Sequence, residues 1–288
     1  MEKDTKHTVI AVAAVFAVII AVFAGIFAAS GVRPPQTVVE SESMQHGIGS
    51  QIGVIDTADM IILRDKNKVS IRSFVDGYST GYRAFGSYGD VIVYDRGAGL
   101  NAVIHRAILW LDNNGNGTWS APSLKDYPSD RWSCTGGTDC SELSGRLTLR
   151  YLGHSGNVTA SINLDDLADK GSKSGFITMG DNNSLFDQPS SVSGVNGLIS
   201  YEQIKSVAWI EVPWVGVFNM ALNENMSKID KEVPNTVPCL AAMILLIIFL
   251  LAGISFIFDQ RYYRKYRKIL CKDMNAPAPS FPVEKENR

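Results

Sequence analysis

Ala102-Val103-Ile104-His105-Arg106-Ala107-Ile108-Leu109-Trp110-Leu111 is an alternating, apolar-rich segment. Successive side chains of a strand point to opposite faces, so this run reads as a strand that could hold the His105 imidazole on a rigid support. The same texture recurs along the chain, as short β-branched or alternating runs broken by Gly, Asn, Asp and Ser. Met60–Leu63, Val69–Val75, Asp90–Tyr94, Arg146–Leu152, Val158–Leu164, Gly175–Met179 and Lys205–Val212 are the other candidate strands. No long segment between Gly31 and Thr236 carries helical periodicity. The expected architecture is therefore a mostly-β, partly barrel-like domain.

Two apolar runs flank that region. Thr8–Ala29 is uncharged and long enough for a helix to cross about 30 Å of hydrocarbon. A cleavable signal sequence is the competing reading, with Ala28-Ala29-Ser30 as small residues at its end, but its apolar core would be only about 7–15 residues. The run is thus expected to remain attached as an anchor. Val237–Phe258 is the second span, followed by the basic and aromatic Arg261-Tyr262-Tyr263-Arg264-Lys265-Tyr266-Arg267-Lys268. Positive charge directly after a span predicts a cytoplasmic tail. The expected organisation is a cytoplasmic N-terminus (1–7), a helix (8–29), an extracytoplasmic domain (30–236), a second helix (237–258) and a basic cytoplasmic tail (259–288) ending in a disordered Ala276-Pro277-Ala278-Pro279 stretch.

With 288 residues, 45% hydrophobic content and 19% charge, the chain can bury a sizeable core. A formal net charge of −2 carries no nucleic-acid signature. Four cysteines are too few for a disulfide scaffold, and no CxxC pair suggests zinc. Cys239 and Cys271 fall in the second span and the tail, leaving Cys134 and Cys140 as an expected local disulfide. The stretch 111–174 reads as an insertion or second lobe. Within it, Asp112-Asn113-Asn114-Gly115-Asn116-Gly117 begins like a calcium loop, but the twelfth position is Ser123 where an acidic ligand is needed. It reads instead as an Asn-Gly hairpin turn. Asn116, Asn157 and Asn225 each head an Asn-x-Ser/Thr acceptor triplet, which counts only if the region is extracytoplasmic.

Ser41-Glu42-Ser43-Met44-Gln45-His46 follows the first apolar run closely. Ile55-Asp56-Thr57-Ala58-Asp59-Met60, Gly89-Asp90-Val91-Ile92-Val93-Tyr94, Ile104-His105-Arg106-Ala107, Gly180-Asp181-Asn182-Asn183 and Val212-Pro213-Trp214-Val215-Gly216 come after it in order. This series resembles the boxes of the type I signal peptidases, in particular the archaeal and endoplasmic-reticulum branch, where histidine replaces the bacterial lysine. The resemblance implies a β-domain lying on the membrane surface, with Ser43 as nucleophile and His105 as general base. It also implies an aspartate six residues after Asp181, which is Asp187, as the group orienting the imidazole. Ser41 is similar to the bacterial hydroxyl that helps form the oxyanion hole, and Asp181 would support the site. Met179 departs from the pattern, since relatives often carry lysine there.

The residues by themselves are compatible with that chemistry. An acyl-transfer centre needs a nucleophile, a base and donors for the developing oxyanion. Imidazole, with an ordinary pKa of about 6.5, can act as base near neutrality without the burial that a lysine requires. Among the four histidines, His7 lies at the cytoplasmic edge of the first span, His154 falls in an exposed Gly-Ser turn and His46 sits three residues from Ser43 in its loop; the resemblance of Val103-Ile104-His105-Arg106-Ala107 to the family's box is what selects His105. Asp181 and Asp187 could equally be turn residues bonding their own backbone. Ser43 lies about 14 residues past the first span, so at roughly 3.6 Å per residue it stays near the bilayer.

The expected function is a two-pass cell-membrane serine endopeptidase that removes signal peptides from exported preproteins after small residues, with no cofactor or metal. Its expected partners are signal peptides, the lipid bilayer and the protein-export channel, and not nucleic acid. The alternatives are an anchored, non-enzymatic β-domain for surface binding or assembly, and an inactive relative that keeps only the fold.

Overall fold

In the computed structural model the described residues are 15, 17–18, 20–97, 99–137, 139–188, 194–195, 197–223 and 225–274, with 258, 259 and 261–274 described by backbone alone. The expected N-terminal segment 1–7, residues 8–14 of the first apolar run and the 276–279 tail lie outside them. An apolar helix α1 (Ile20–Ser30) represents the described part of the first run. The strands are β1 (Gln36–Val38), β2 (Met60–Arg64), β3 (Arg83–Ala84), β4 (Ser87–Tyr88), β5 (Val91–Tyr94), β6 (Val103–Asn113), β7 (Trp119–Ser120), β8 (Trp132–Cys134), β9 (Arg146–Leu152), β10 (Val158–Asn163), β11 (Gly175–Met179) and β12 (Ile204–Val212). Short helices α2 (Phe74–Thr80), α3 (Leu164–Asp169), α4 (Val217–Leu222) and α5 (Met226–Glu232) punctuate them.

The chain is mostly antiparallel β-sheet. The main sheet runs β1-β2-β12-β5-β6-β11, with β7 added to the far end of β6; a second sheet runs β10-β9-β8, and β3-β4 is a hairpin. Both faces of β5 are apolar and buried, each in its own cluster. Val91 and Val93 join one apolar cluster with Val39, Met44, Ile55, Ile61 and Leu63, whereas Ile92 and Tyr94 join another with Phe176, Ile199 and Ile204. Each such side chain, fully buried, contributes roughly 1.5–3 kcal/mol. β6 lies between β5 and β11 and pairs with both: Ile92 of β5 is opposite His105, and Met179 of β11 is opposite Arg106.

One expected strand is a helix start. The composition of Val69–Val75 suits an extended strand, but α2 begins at Phe74 because Ser73 caps it. The Ser73 hydroxyl accepts from the Asp76 N–H at 3.1 Å, and the Asp76 carboxylate accepts from the Ser73 N–H at 3.0 Å. Gly77 lets α2 lie backbone-to-backbone against Gly89, since a Cβ on Gly77 would collide with the Gly89 nitrogen.

The stretch 111–174 is a lobe rather than a separate domain. β6 runs without a break into it, to Asn113, and turns through 114–118 into β7, so the Asn-Gly segment is a hairpin. Leu147, Leu149, Ala160, Ile162 and Leu164 of the lobe share one apolar cluster with Ile108, Leu109 and Leu111 of β6. Trp119 is fully buried there, with its indole N–H donating to the Leu164 carbonyl at 3.0 Å.

The expected disulfide is absent. Cys134 and Cys140 are free thiols. Cys134 is committed to β8, with its thiol on the Ser144 carbonyl at 2.9 Å, while the Cys140 carbonyl receives the Ala121 N–H at 2.7 Å. Both pack at the rim of the lobe core as separate thiols, so proximity in sequence does not make them a pair.

The C-terminal unit is a continuous helix α6 (Thr236–Met274). Its apolar part is Thr236–Ile257, one residue earlier than the expected span. At 1.5 Å per residue its 22 residues extend about 33 Å, enough to cross a bilayer. The helical backbone then continues through the basic run rather than stopping at the span.

Candidate active site

Ser43 sits on a turn that is plugged into the domain on both sides. Val39 is fixed by two backbone bonds, to Asp59 at 3.0 Å and from Ala58 at 2.9 Å, so the Ile55–Met60 box grips the strand leading to the serine. Ser41 is extended, and Glu42–Met44 then form one turn of 3-10 helix. The two hydroxyls meet: Ser41 Oγ lies 3.3 Å from Ser43 Oγ. Met44 is buried in the apolar cluster beneath, and buried Gln45 accepts from the Thr57 hydroxyl at 2.7 Å while donating to the Glu232 carbonyl at 3.1 Å. The nucleophile candidate is thus half-buried on a backbone whose next two side chains are anchored.

His105 comes to it from near the start of β6. Its Nε2 lies 2.9 Å from Ser43 Oγ, and its Nδ1 lies 2.8 Å from Asp187 Oδ2. His105 and Asp187 are both buried. Asp187 is delivered by the segment after β11, with its N–H on the Thr178 carbonyl at 2.9 Å. The Tyr94 hydroxyl donates to the same carboxylate oxygen at 2.7 Å. Burial by itself would raise the Asp187 carboxyl, but the adjacent His105 ring and the bonds from His105, Thr178 and Tyr94 outweigh it and hold it below the usual range. Burial, then the Asp187 charge, pushes Tyr94 far up, so it stays a donor. An ionised Asp187 accepts a hydrogen bond from Nδ1–H and so leaves the Nε2 lone pair facing the serine hydroxyl, the tautomer a general base needs.

Asp181 has a different place. Adjacent residues of a strand face opposite ways, and Arg106, fully buried, turns away from His105 toward Asp181. Arg106 Nε donates to Asp181 Oδ1 at 2.6 Å and Nη2 to Oδ2 at 2.5 Å, while Nη1 reaches the carbonyls of Ala84, Tyr88 and Gly89 at 3.1, 3.2 and 2.7 Å. Burial works to raise the Asp181 carboxyl, but the Arg106 charge and the bonds from Arg106 and His46 keep it low. His46 is no mere loop decoration: its Nε2 lies 2.9 Å from Asp181 Oδ2. His154, exposed as expected, nonetheless stacks on His46 with ring centroids 4.8 Å apart and planes 15° from parallel. Asn182 completes the joint, its N–H on the Ser43 carbonyl at 2.9 Å and its amide on the Glu42 carbonyl at 3.1 Å.

A third group of acids lies under the same turn. Asp59 accepts the Trp214 N–H at 2.9 Å and the Asp56 N–H at 2.8 Å, and Glu211 of β12 accepts the Gly53 N–H at 2.6 Å. Burial drives Asp59 up to about 8 and Glu211 up to about 7, against those bonds, and raises Asp56 as well. Among the described residues no group of three or more His, Cys, Asp or Glu is arranged to hold a metal ion.

Ser43, His105, Asp187 and Ser41 therefore form one cluster, and Asp181 adjoins it through the Ser43 turn. Sequence reasoning assigns no site role to Tyr94, Arg106, His46 or His154, all of which the fold brings to its edge. Tyr94 and Arg106 sit inside quoted motifs and are the two legible in principle. The His46–Asp181 and His46–His154 contacts span about a hundred residues or more and leave no local signal. No family model and no curated protein matches this chain.

Proposed function

We propose that this chain is a membrane-anchored serine endopeptidase of the signal-peptidase type, with Ser43 as nucleophile, His105 as general base and acid, and Asp187 as the orienting carboxylate. The observation that carries the reading is the unbroken relay Ser43 Oγ to His105 Nε2 at 2.9 Å and His105 Nδ1 to Asp187 Oδ2 at 2.8 Å. Two hydrogen-bond lengths of this size, with the carboxylate kept ionised, are the arrangement an acyl transfer requires. As Ser43 Oγ attacks the scissile carbonyl, its proton passes to Nε2, and Asp187 balances the imidazolium. The same proton then goes to the departing amine. Water, deprotonated in turn by His105, hydrolyses the serine ester. The Ser41 hydroxyl and the Ser43 N–H are the donors for the oxyanion.

The substrate is the signal peptide of an exported preprotein, cut after small residues. β1 supports an extended mode of binding: it is an end strand of the main sheet and leads within a few residues to Ser41. The apolar lengths of α6 and of the run 8–29 support a two-pass chain with both termini cytoplasmic and a signal-peptidase-like domain held on the outer face of the cell membrane, beside the export channel.

The test is cleavage of a preprotein bearing Ala-x-Ala before its cut site by the purified full chain in liposomes. A single cut at that site, absent with Ser43→Ala, is expected. An intact preprotein with the wild-type chain, or equal cleavage by Ser43→Ala, overturns the reading.

A further inference from the structure

The Ser43 turn is held from one side by two consecutive residues. Asn182 takes the carbonyls of Glu42 and Ser43, and Asp181 takes the ring of His46, three residues on. The Asp181 carboxylate is itself held, because buried Arg106 grips both its oxygens and ties them to the β3-β4 hairpin. His46 is thus the only side chain of the turn that reaches this anchor directly among the described bonds. Its other face is not left to solvent. The His154 ring stacks on it, and the His154 N–H donates to the Asp181 carbonyl at 3.1 Å. His154 belongs to the 111–174 lobe, so one residue of that lobe touches both halves of the His46–Asp181 link.

We infer that His46 is a positioning residue for Ser43, and that the 111–174 lobe acts on the site through His154. The inference rests on the serine-protease reading for its kinetic meaning, but the contact itself does not. The charged and titratable groups facing His46 are the Asp181 carboxylate, the Arg106 guanidinium behind it, the His154 ring and, farther off, the Asp56 carboxyl. His46 touches none of the atoms that react. Its part is to stop the turn from rocking, and so to keep Ser43 Oγ within reach of His105 Nε2.

The experiment measures kcat and KM on the test preprotein with the full chain in liposomes, and follows the His154 ring by NMR across pH. His46→Ala is expected to lower kcat about 10- to 100-fold with KM within about threefold, the size of a lost bond to a charged group. His46→Gln, whose amide N–H can meet Asp181, is expected to recover kcat to within about threefold. His154→Ala should lower kcat by less, roughly three- to tenfold, and add nothing to His46→Ala because both act through one contact. Although His154 is exposed on one side, partial desolvation first, and then the His46 charge, holds its imidazole below the usual value, so His46→Ala should let it rise. That titration is read in a Ser43→Ala background, where no cleavage is needed. If the wild type cleaves, Ser43→Ala does not, and His46→Ala matches the wild-type kcat, the positioning role is overturned while the protease reading stands. A His46→Gln chain as slow as His46→Ala overturns the donor role. Should His154 titrate identically with and without His46, the link to the lobe is overturned whatever the cleavage result.

Discussion

Replacing Asp187 by asparagine isolates the orienting group from everything else in the site, because the side chain keeps its size and loses only its charge and one acceptor. Two donors converge on Asp187 Oδ2, the His105 Nδ1–H at 2.8 Å and the Tyr94 hydroxyl at 2.7 Å. An amide has one oxygen, and when its NH2 group occupies the Oδ2 position it donates to His105 Nδ1. The ring proton then resides on Nε2, the atom 2.9 Å from Ser43 Oγ, and the base can no longer take the serine proton. Even in the opposite amide orientation the imidazolium formed during attack loses its counter-charge. Unit charges about 4 Å apart at an effective dielectric near 20 interact by about 4 kcal/mol, which is roughly 10³-fold in rate. With the wrong tautomer added, Asp187→Asn should lower kcat by about 10³–10⁴-fold. The assay is single-turnover cleavage of the test preprotein near pH 7.5, with thermal unfolding to check that the domain is intact. Asp181→Asn is the comparison, and its loss should be smaller, since Asp181 contacts no member of the relay. An Asp187→Asn chain within tenfold of wild type, or one less impaired than Asp181→Asn, would refute the reasoning.

The same geometry sets three other outcomes. Ser43→Ala and His105→Ala should each remove essentially all cleavage, His105→Lys should not restore it because an ammonium beside the Asp187 carboxylate stays protonated near neutrality, and Ser41→Ala should cost a milder 10²–10³-fold, all read in the same cleavage assay. Gly180→Ala should cut kcat at least about tenfold, because its Cβ would lie 2.5 Å from the Ser43 carbonyl and force the nucleophile turn to move; an unchanged kcat would show that the turn yields without consequence. Burial raises Asp59 to about 8 and Glu211 to about 7, so the folded chain holds protons that the unfolded chain has already released. Their stabilising contribution is complete below about pH 4 and is lost as pH rises through 7 and 8, with a limiting slope of about 1.4 kcal/mol per pH unit per proton. The unfolding temperature should therefore fall between about pH 5 and 8 and level off above that, and fall less steeply for Glu211→Gln; a rise across that range would contradict the burial argument.

The sequence by itself determined where chain could be sheet. Alternation in Val91–Tyr94, Val103–Leu111, Arg146–Leu152 and Gly175–Met179 is a local property, and each is a strand because a half-turn per residue sends successive side chains to opposite faces whatever the neighbours are. The apolar length of Thr236–Ile257 was legible for the same reason, as was the grouping of Ser41, Ser43, His105 and Asp187, which came from a series of short motifs rather than from any one residue. What tertiary structure alone decided depends on distance in sequence. Val69–Val75 has strand-like composition, yet Ser73 and Asp76 close a helix cap and Gly77 docks it on Gly89. Cys134 and Cys140 look like a pair, yet both are free thiols, that of Cys134 bonded to the Ser144 carbonyl. His46 and Asp181 are 135 positions apart and both have the look of loop residues, and only the packing of β6, with Arg106 turned away from His105, brings a buried guanidinium to hold them together. Short-range pattern encodes which face a residue takes; the partner waiting on that face is set by which strands lie side by side, and that order is a property of the folded sheet.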